Sequence, residues 1–211
     1  MNKKNQVLLL LLGLIVLTFM EMSSSISYFL KITAKLLLFV MIPLRFLRKH
    51  ITFLSIKNVS KKTILYCHLT GIVIAGLILG VYKLLFSHIN FTQVAYQLEA
   101  TTGVTPTNFL LIGAIIVFLN SFIEEFFFRG ILHKKFGMYK TSAIFAVYHI
   151  SIFVMWFSWW ISSIALVGLF VGGIIFSKAN EKSKTIYPGW IIHMWADIAI
   201  IVIGLQMFGF F

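Results

Sequence analysis

PTNFLLIGAIIVFLNSFIEEFFFRG, residues 106–130, decides how the chain is read. From Phe109 to Phe128 it is almost wholly apolar, and a helix needs ~20 such residues to cross a bilayer. Near its end stand two adjacent carboxylates, Glu124 and Glu125. A charge at the centre of a membrane helix costs about 2.5–3.5 kcal/mol on insertion scales, so it needs a partner and marks a candidate functional site.

The rest of the chain has the same character. Of 211 residues, 60% are hydrophobic and 11% charged, with mean hydropathy +0.97; soluble domains carry about 25% charged residues. The solvent is therefore lipid. We expect an all-α, polytopic bundle of about seven spans, at 6–22, 26–47, 63–86, 106–128, 140–158, 161–178 and 188–208. Ser60 is placed to cap the third span, and Pro106 and Pro188 to open the fourth and seventh, where a missing N–H costs nothing. Lys31 and Lys35 interrupt the second, which is expected to lie partly in the interface with those side chains snorkelling. Residues 1–211 read as one membrane domain, with variable N-terminal helices over 1–105 and a core over 106–208. Lys3 and Lys4 before an apolar run resemble a signal peptide, but an uncleaved first helix is the reading preferred here.

A net charge of +12 invites a nucleic-acid partner, but the basic residues sit in loops. Lys3 and Lys4 precede the first span. Arg45, Arg48, Lys49, Lys57, Lys61 and Lys62 follow the second, Arg129, Lys134, Lys135 and Lys140 the fourth, and Lys178, Lys182 and Lys184 the sixth. Only Lys31, Lys35 and Lys83 fall elsewhere. The positive-inside rule accounts for this without a polyanion, and it places the N-terminus and the even-numbered loops in the cytoplasm. The lone cysteine, Cys67, excludes an intrachain disulfide.

Of six carboxylates, Glu21, Glu99 and Glu181 lie at loops or span ends, whereas Glu124, Glu125 and Asp197 lie within spans. Glu125 and Arg129 are one helical turn apart and are expected to pair. Glu124 points about 100° away and shares a face with Asn120. That makes Glu125 the structural candidate and Glu124, expected to lack an ion-pair partner, the chemical one. His149 occupies the fifth span. His193 and Asp197 are a turn apart on the seventh, so one can orient the other or both can bind a metal. At 1.5 Å per residue, Glu124 lies roughly 7 Å from the end of its span, and His193 and His149 roughly 8 and 13 Å into theirs. Gly168, Gly172 and Gly173 are expected to let the sixth span pack closely. His68 and Cys67 read as core.

Three motifs carry a family resemblance. Glu124-Glu125-Phe126-Phe127-Phe128-Arg129-Gly130, Phe145-Ala146-Val147-Tyr148-His149 and His193-Met194-Trp195-Ala196-Asp197 resemble the EExxxRG, FxxxH and HxxxN/D motifs of the CAAX-processing and bacteriocin-processing (CPBP, or Abi) intramembrane proteases. The resemblance covers about 106–208. It implies a membrane-embedded endopeptidase, classed as a metalloprotease, that cuts a prenylated or leader-type peptide in a cavity open to the cytoplasm of a bacterial cell membrane. By motif position, Glu124 and His149 would activate water, His193 and Asp197 would steady the oxyanion, and Glu125 and Arg129 would hold the cavity wall. Better-studied members carry asparagine where this chain has Asp197. An ionised aspartate only accepts hydrogen bonds; it is protonated, orients His193, or binds metal. Zn²⁺ is the candidate cofactor, with His149 and His193 as candidate ligands and a carboxylate completing the set. Besides membrane lipids, the expected partner is the peptide or lipidated protein substrate. The competing readings are a bacteriocin self-immunity or scaffold protein acting by partner binding, and a small proton-coupled transporter. A transporter of this kind is expected to show internal symmetry, and the sequence shows none.

Overall fold

A computed structural model describes residues 2–47, 51–57, 59–154 and 156–211. Arg48 and Lys49 of the second basic loop, and the side chain of Lys3, lie outside what it describes. Among the described residues the chain is helical, with no strand.

Helix α1 is Lys3–Met22, with Asn2 accepting from the Asn5 N–H. Helix α2 runs over 28–47, with π-helical turns at Leu37–Met41. Helix α3 is Lys61–Leu85, and Ser60 caps it as expected, its hydroxyl accepting from the Thr63 N–H. A short helix not foreseen, α4, is Phe91–Thr102; Asn90 caps it, and Gly103 ends it at φ 70°. The apolar stretch Phe109–Phe153 follows, then α7, Trp159–Glu181, and α8, Tyr187–Met207, with a proline in its first turn.

Five helices are long and apolar enough to cross a membrane, counting Phe109–Phe153 as one. A straight helix of 45 residues would measure about 68 Å, more than twice the ~30 Å hydrocarbon core. It does not run straight. Gly137 takes φ 75° and ψ 175°, a conformation open to glycine and strained for residues with a Cβ. Phe128 meets Phe145 and Tyr148, and Glu124 meets His149. Each pair is nearly symmetric about residue 137, which is the signature of an antiparallel hairpin. We therefore number 109–136 as α5 and 138–153 as α6.

Two expectations need correction here. Pro106 does not open α5, which begins at Phe109. The Asn108 side chain accepts from the Thr105 N–H and donates to Gly103 O, holding the chain in a turn for one more step. Nor does α5 end near residue 128. It continues to the hairpin tip, because Phe126, Phe127, Phe128, Ile131 and Leu132 are all buried. From the 136 end, Glu124 thus lies about 18 Å along the helix rather than about 7 Å; His149 lies about 17 Å along α6 from the same tip.

The aromatic core holds α2 against this hairpin. The Phe39 ring stacks on Phe127 at 3.8 Å and 5° and meets Phe128 edge-on. Helix α8 packs along α3, where a Cβ at Gly71 would clash with Trp195, and the Trp195 indole N–H donates to His68. Of the three glycines read as packing residues, only Gly173 serves that purpose; nothing lies within 4 Å of a Cβ built at Gly168. Leu8, Phe19, Leu77, Leu84 and Val167 point outward, an apolar exterior suited to lipid.

One end of the bundle gathers the basic loops. Ile186 N–H donates to Phe53 O, and Tyr187 Oη donates to Leu54 O. The Phe53 ring fills the space over Gly130 and lies 4.8 Å from Lys134 Nζ. The segment after α2, the hairpin tip and the start of α8 therefore share one face.

Candidate active site

Glu124 occupies the middle of α5, and its two oxygens face different surroundings. Asn120, one turn earlier, donates its Nδ2–H to Oε1 at 3.0 Å. Lys35 Nζ, from α2, donates to the same oxygen at 3.1 Å and to Asn120 Oδ1 at 2.7 Å. Glu21 Oε1, at the end of α1, is 3.6 Å from Lys35. The expectation that Glu124 has no ion-pair partner is therefore wrong, as is the snorkelling of Lys31 and Lys35. Both lysines are buried, and Lys31 donates to Glu21 O at 2.9 Å. The physical reason is shared: an ammonium and a carboxylate inside the bundle are each costly alone and cheaper together.

Glu124 Oε2 accepts no hydrogen bond from any described residue. It lies 3.5 Å from His149 Nε2 and 3.9 Å from His193 Nε2. The other nitrogen of each ring is committed. His149 Nδ1 is 2.7 Å from Phe145 O, one turn back on α6. His193 Nδ1 is 3.1 Å from Glu125 Oε1. Each of those partners accepts, so each Nδ1 donates and each Nε2 is left facing Glu124. Asp197 Oδ1 lies 3.8 Å from His193 Nε2.

Glu125 and Arg129 form the expected pair, Oε1 to Nη1 at 2.9 Å, an ion contact without hydrogen-bond alignment at Nη1. The guanidinium lies 4.3 Å from the Phe145 ring centre and 5.1 Å from that of Phe176, whose ring in turn stacks on His193 at 4.9 Å. Two glycines make room. A Cβ at Gly173 would stand 3.1 Å from Arg129 Nη2, and one at Gly189 2.9 Å from Glu125 Oε2.

Charges nearly balance. Four carboxylates (Glu21, Glu124, Glu125, Asp197) face three permanent cations (Lys31, Lys35, Arg129). One further proton would make the cluster neutral, as a low-dielectric interior favours.

Zinc fits this arrangement poorly. The Nε2 and Oε2 separations approach the ~3.4 Å edge of a tetrahedral set with ~2.1 Å bonds. Yet among the described residues no three His, Cys, Asp or Glu side chains are arranged to hold a metal ion. Lys35 also sets a positive charge 3.1 Å from the required carboxylate.

The cluster is enclosed more tightly than an open cavity would be. Side-chain exposure is 2% for Glu124 and 6% for His193, rising to 12% for His149 and 17% for Asp197. His149 and Asp197 are thus the least enclosed of the four. A cavity of about 610 Å³, lined by Gln6, Leu9, Ile42, Arg45 and Phe46, shares no residue with the cluster.

The structure thus brings Glu124, His149, His193 and Asp197 together from three helices, with Asn120, Glu125 and Arg129 against them. Lys35 was missed. Its signal was available: it was one of three basic residues outside the basic loops, inside an apolar run. Residues 106–199 match a family model described as Rce1-like, type II CAAX prenyl endopeptidase Rce1-like. That range includes all three motifs and excludes Lys35. No curated protein and no solved structure matches the chain.

Proposed function

With its core, residues 106–199, belonging to the Rce1-like family of type II CAAX prenyl endopeptidases, we propose that this integral membrane protein hydrolyses a peptide bond in a prenylated or leader-type peptide, with Glu124 as general base. The observation that carries the reading is the asymmetry of Glu124. Its Oε1 is held by Asn120 and Lys35, while Oε2 is turned toward two imidazoles and accepts no hydrogen bond from any described residue.

A water donating one hydrogen to Oε2 and the other to His149 Nε2 directs its lone pair outward, toward a carbonyl carbon. Its oxygen forms the new C–O bond as one proton passes to Oε2. The extra proton of the cluster is best placed on His193, between Glu125 and Asp197, and the resulting Nε2–H donates to the oxyanion. When the intermediate collapses, the C–N bond breaks and Glu124 returns its proton to the leaving amine. Asp197 then acts on His193 by charge rather than as a donor.

The positive-inside rule assigns the end that gathers the basic loops to the cytoplasm, which puts the cleavage site within reach of cytoplasmic peptides anchored in the inner leaflet. Self-immunity through partner binding is the rival reading. Glu124→Gln separates the two. Proteolysis requires that this variant accumulate the uncleaved substrate peptide in a membrane proteome, with activity lower by about 100-fold or more. An unchanged peptide profile with full biological activity sinks the enzymatic reading.

A further inference from the structure

Residue 35 lies outside the matched core, on a helix that the family resemblance does not reach, yet its ammonium is in the same cluster as the base. An ion pair meant only to neutralise Glu124 could approach either oxygen. Lys35 approaches the one that faces away from both histidines, and it also grips Asn120 Oδ1, whose amide holds that same oxygen. The result is a closed triangle of Lys35, Asn120 and Glu124 Oε1. With Oε1 doubly bonded by donors, the carboxylate cannot rotate without losing both contacts.

We propose that Lys35 is a positioning residue for hydrolysis: from outside the catalytic core it pins Glu124 Oε1 and holds the carboxylate ionised, leaving Oε2 as the one atom free to take a proton from water. A carboxylate buried without a cation takes up a proton and ceases to be a base. Lys35 is the permanent cation in direct contact with Glu124; the Arg129 guanidinium is held by Glu125, and Asp197 adds negative charge on the far side of His193. Glu21 on α1 faces Lys35 and holds it in place at 3.6 Å. Lys31 on its own helix is turned to Glu21. The Tyr148 ring of α6 lies 5.5 Å from Nζ, and Asn120 is neutral. On the other side of Glu124, His149 and His193 stand at 3.5 and 3.9 Å from Oε2, and a proton on His193 is shared with Glu125 and Asp197.

The proposal rests on the hydrolytic reading for its purpose, but the charge it assigns is measurable without any substrate. Dicyclohexylcarbodiimide, an apolar reagent, modifies carboxyls that are protonated in an apolar interior. The full chain is purified in detergent, treated at pH 7, digested and mapped by mass spectrometry. Wild-type Glu124 is expected to stay unmodified. Lys35→Met should bring strong modification of Glu124, absent in Lys35→Met/Glu124→Gln, while Lys35→Arg should behave as wild type. With a farnesylated CAAX-type peptide as probe, Lys35→Met is expected to lose about 100-fold in kcat at neutral pH. It should recover toward alkaline pH, where Glu124 gives up its proton, and Lys35→Arg should restore much of the loss. If Lys35→Met does not yield monodisperse protein, Lys35→Gln, which keeps a donor and drops the charge, is read in the same assays. An unmodified Glu124 in a folded Lys35 variant, or an activity loss with an unshifted pH profile, overturns the proposal. Modification as expected in a chain that cleaves no peptide would uphold the charge assignment and count against the hydrolytic reading alone.

Discussion

Glu125 holds His193 in place, with Oε1 3.1 Å from Nδ1, across two helices and 68 residues of sequence. The same oxygen carries the contact to Arg129, so one atom ties the hairpin to the guanidinium and to the imidazole. Arg129→Met would leave Glu125 buried and paired only with His193. Breaking a buried ion pair from one side costs about 3–5 kcal/mol. Thermal unfolding in detergent should show a large drop in Tm, together with lower protein abundance.

Glu124→Gln differs in kind. It strands Lys35 only in part, because Asn120 Oδ1 and Glu21 remain at 2.7 and 3.6 Å. Its Tm should fall less than that of Arg129→Met, while its peptidase activity is lost. Equal destabilisation of the two variants would show that Glu124 is as structural as Arg129.

Asp197 offers a test of the charge count. Asp197→Asn removes the carboxylate that leaves the cluster one negative charge in excess and puts a donor beside His193. Activity should stay within about tenfold of wild type, with less dependence on the proton that His193 shares. Asp197→Ala, which removes the acceptor and supplies no donor in its place, should fall further. Initial rates across a pH series, with a prenylated peptide, read both effects.

Metal removal follows from the same geometry. Lys35 beside Glu124, and the lack of a three-ligand set among the described residues, argue for water activated by carboxylate and imidazole alone. Purified protein treated with a strong chelator should keep its activity, and elemental analysis should find no stoichiometric zinc. Loss on chelation, with recovery on adding zinc alone, would reverse this.

Much of the site was legible because lipid makes charge conspicuous. Glu124, Glu125, Arg129, His149, His193 and Asp197 each interrupt an apolar run, and helical spacing sorted Glu125 toward Arg129. Lys35 stood out as well but was read as snorkelling, since a long aliphatic stem allows that and its partner lies 89 residues away. Periodicity reports which face a residue occupies and is silent on which helix it meets. The same limit hid the Glu125–His193 contact. Helix α4 escaped for the opposite reason: Gln93, Gln97 and Glu99 make it too polar to read as a span, although Asn90 and Gly103 bracket it with a start and a stop.

Orientation brings the loops and the site into one test. Phe53, Lys134, Ile186 and Tyr187 bring the segment after α2, the hairpin tip and the start of α8 to one face. Any reagent that reaches one of these loops should reach the others. Single cysteines at Lys57 and Lys182, both exposed, and at Ser87, exposed beyond the opposite end of α3, make the comparison; native Cys67 is buried. A membrane-impermeant maleimide applied to intact cells should label position 87 and spare 57 and 182, which should react after permeabilisation. The basic loops resist translocation, which is the physical basis of that expectation. Labelling of 57 and 182 on opposite faces would contradict the packing itself. Labelling of both from outside would leave the packing standing and invert the molecule, moving the substrate from the cytoplasm to the cell exterior.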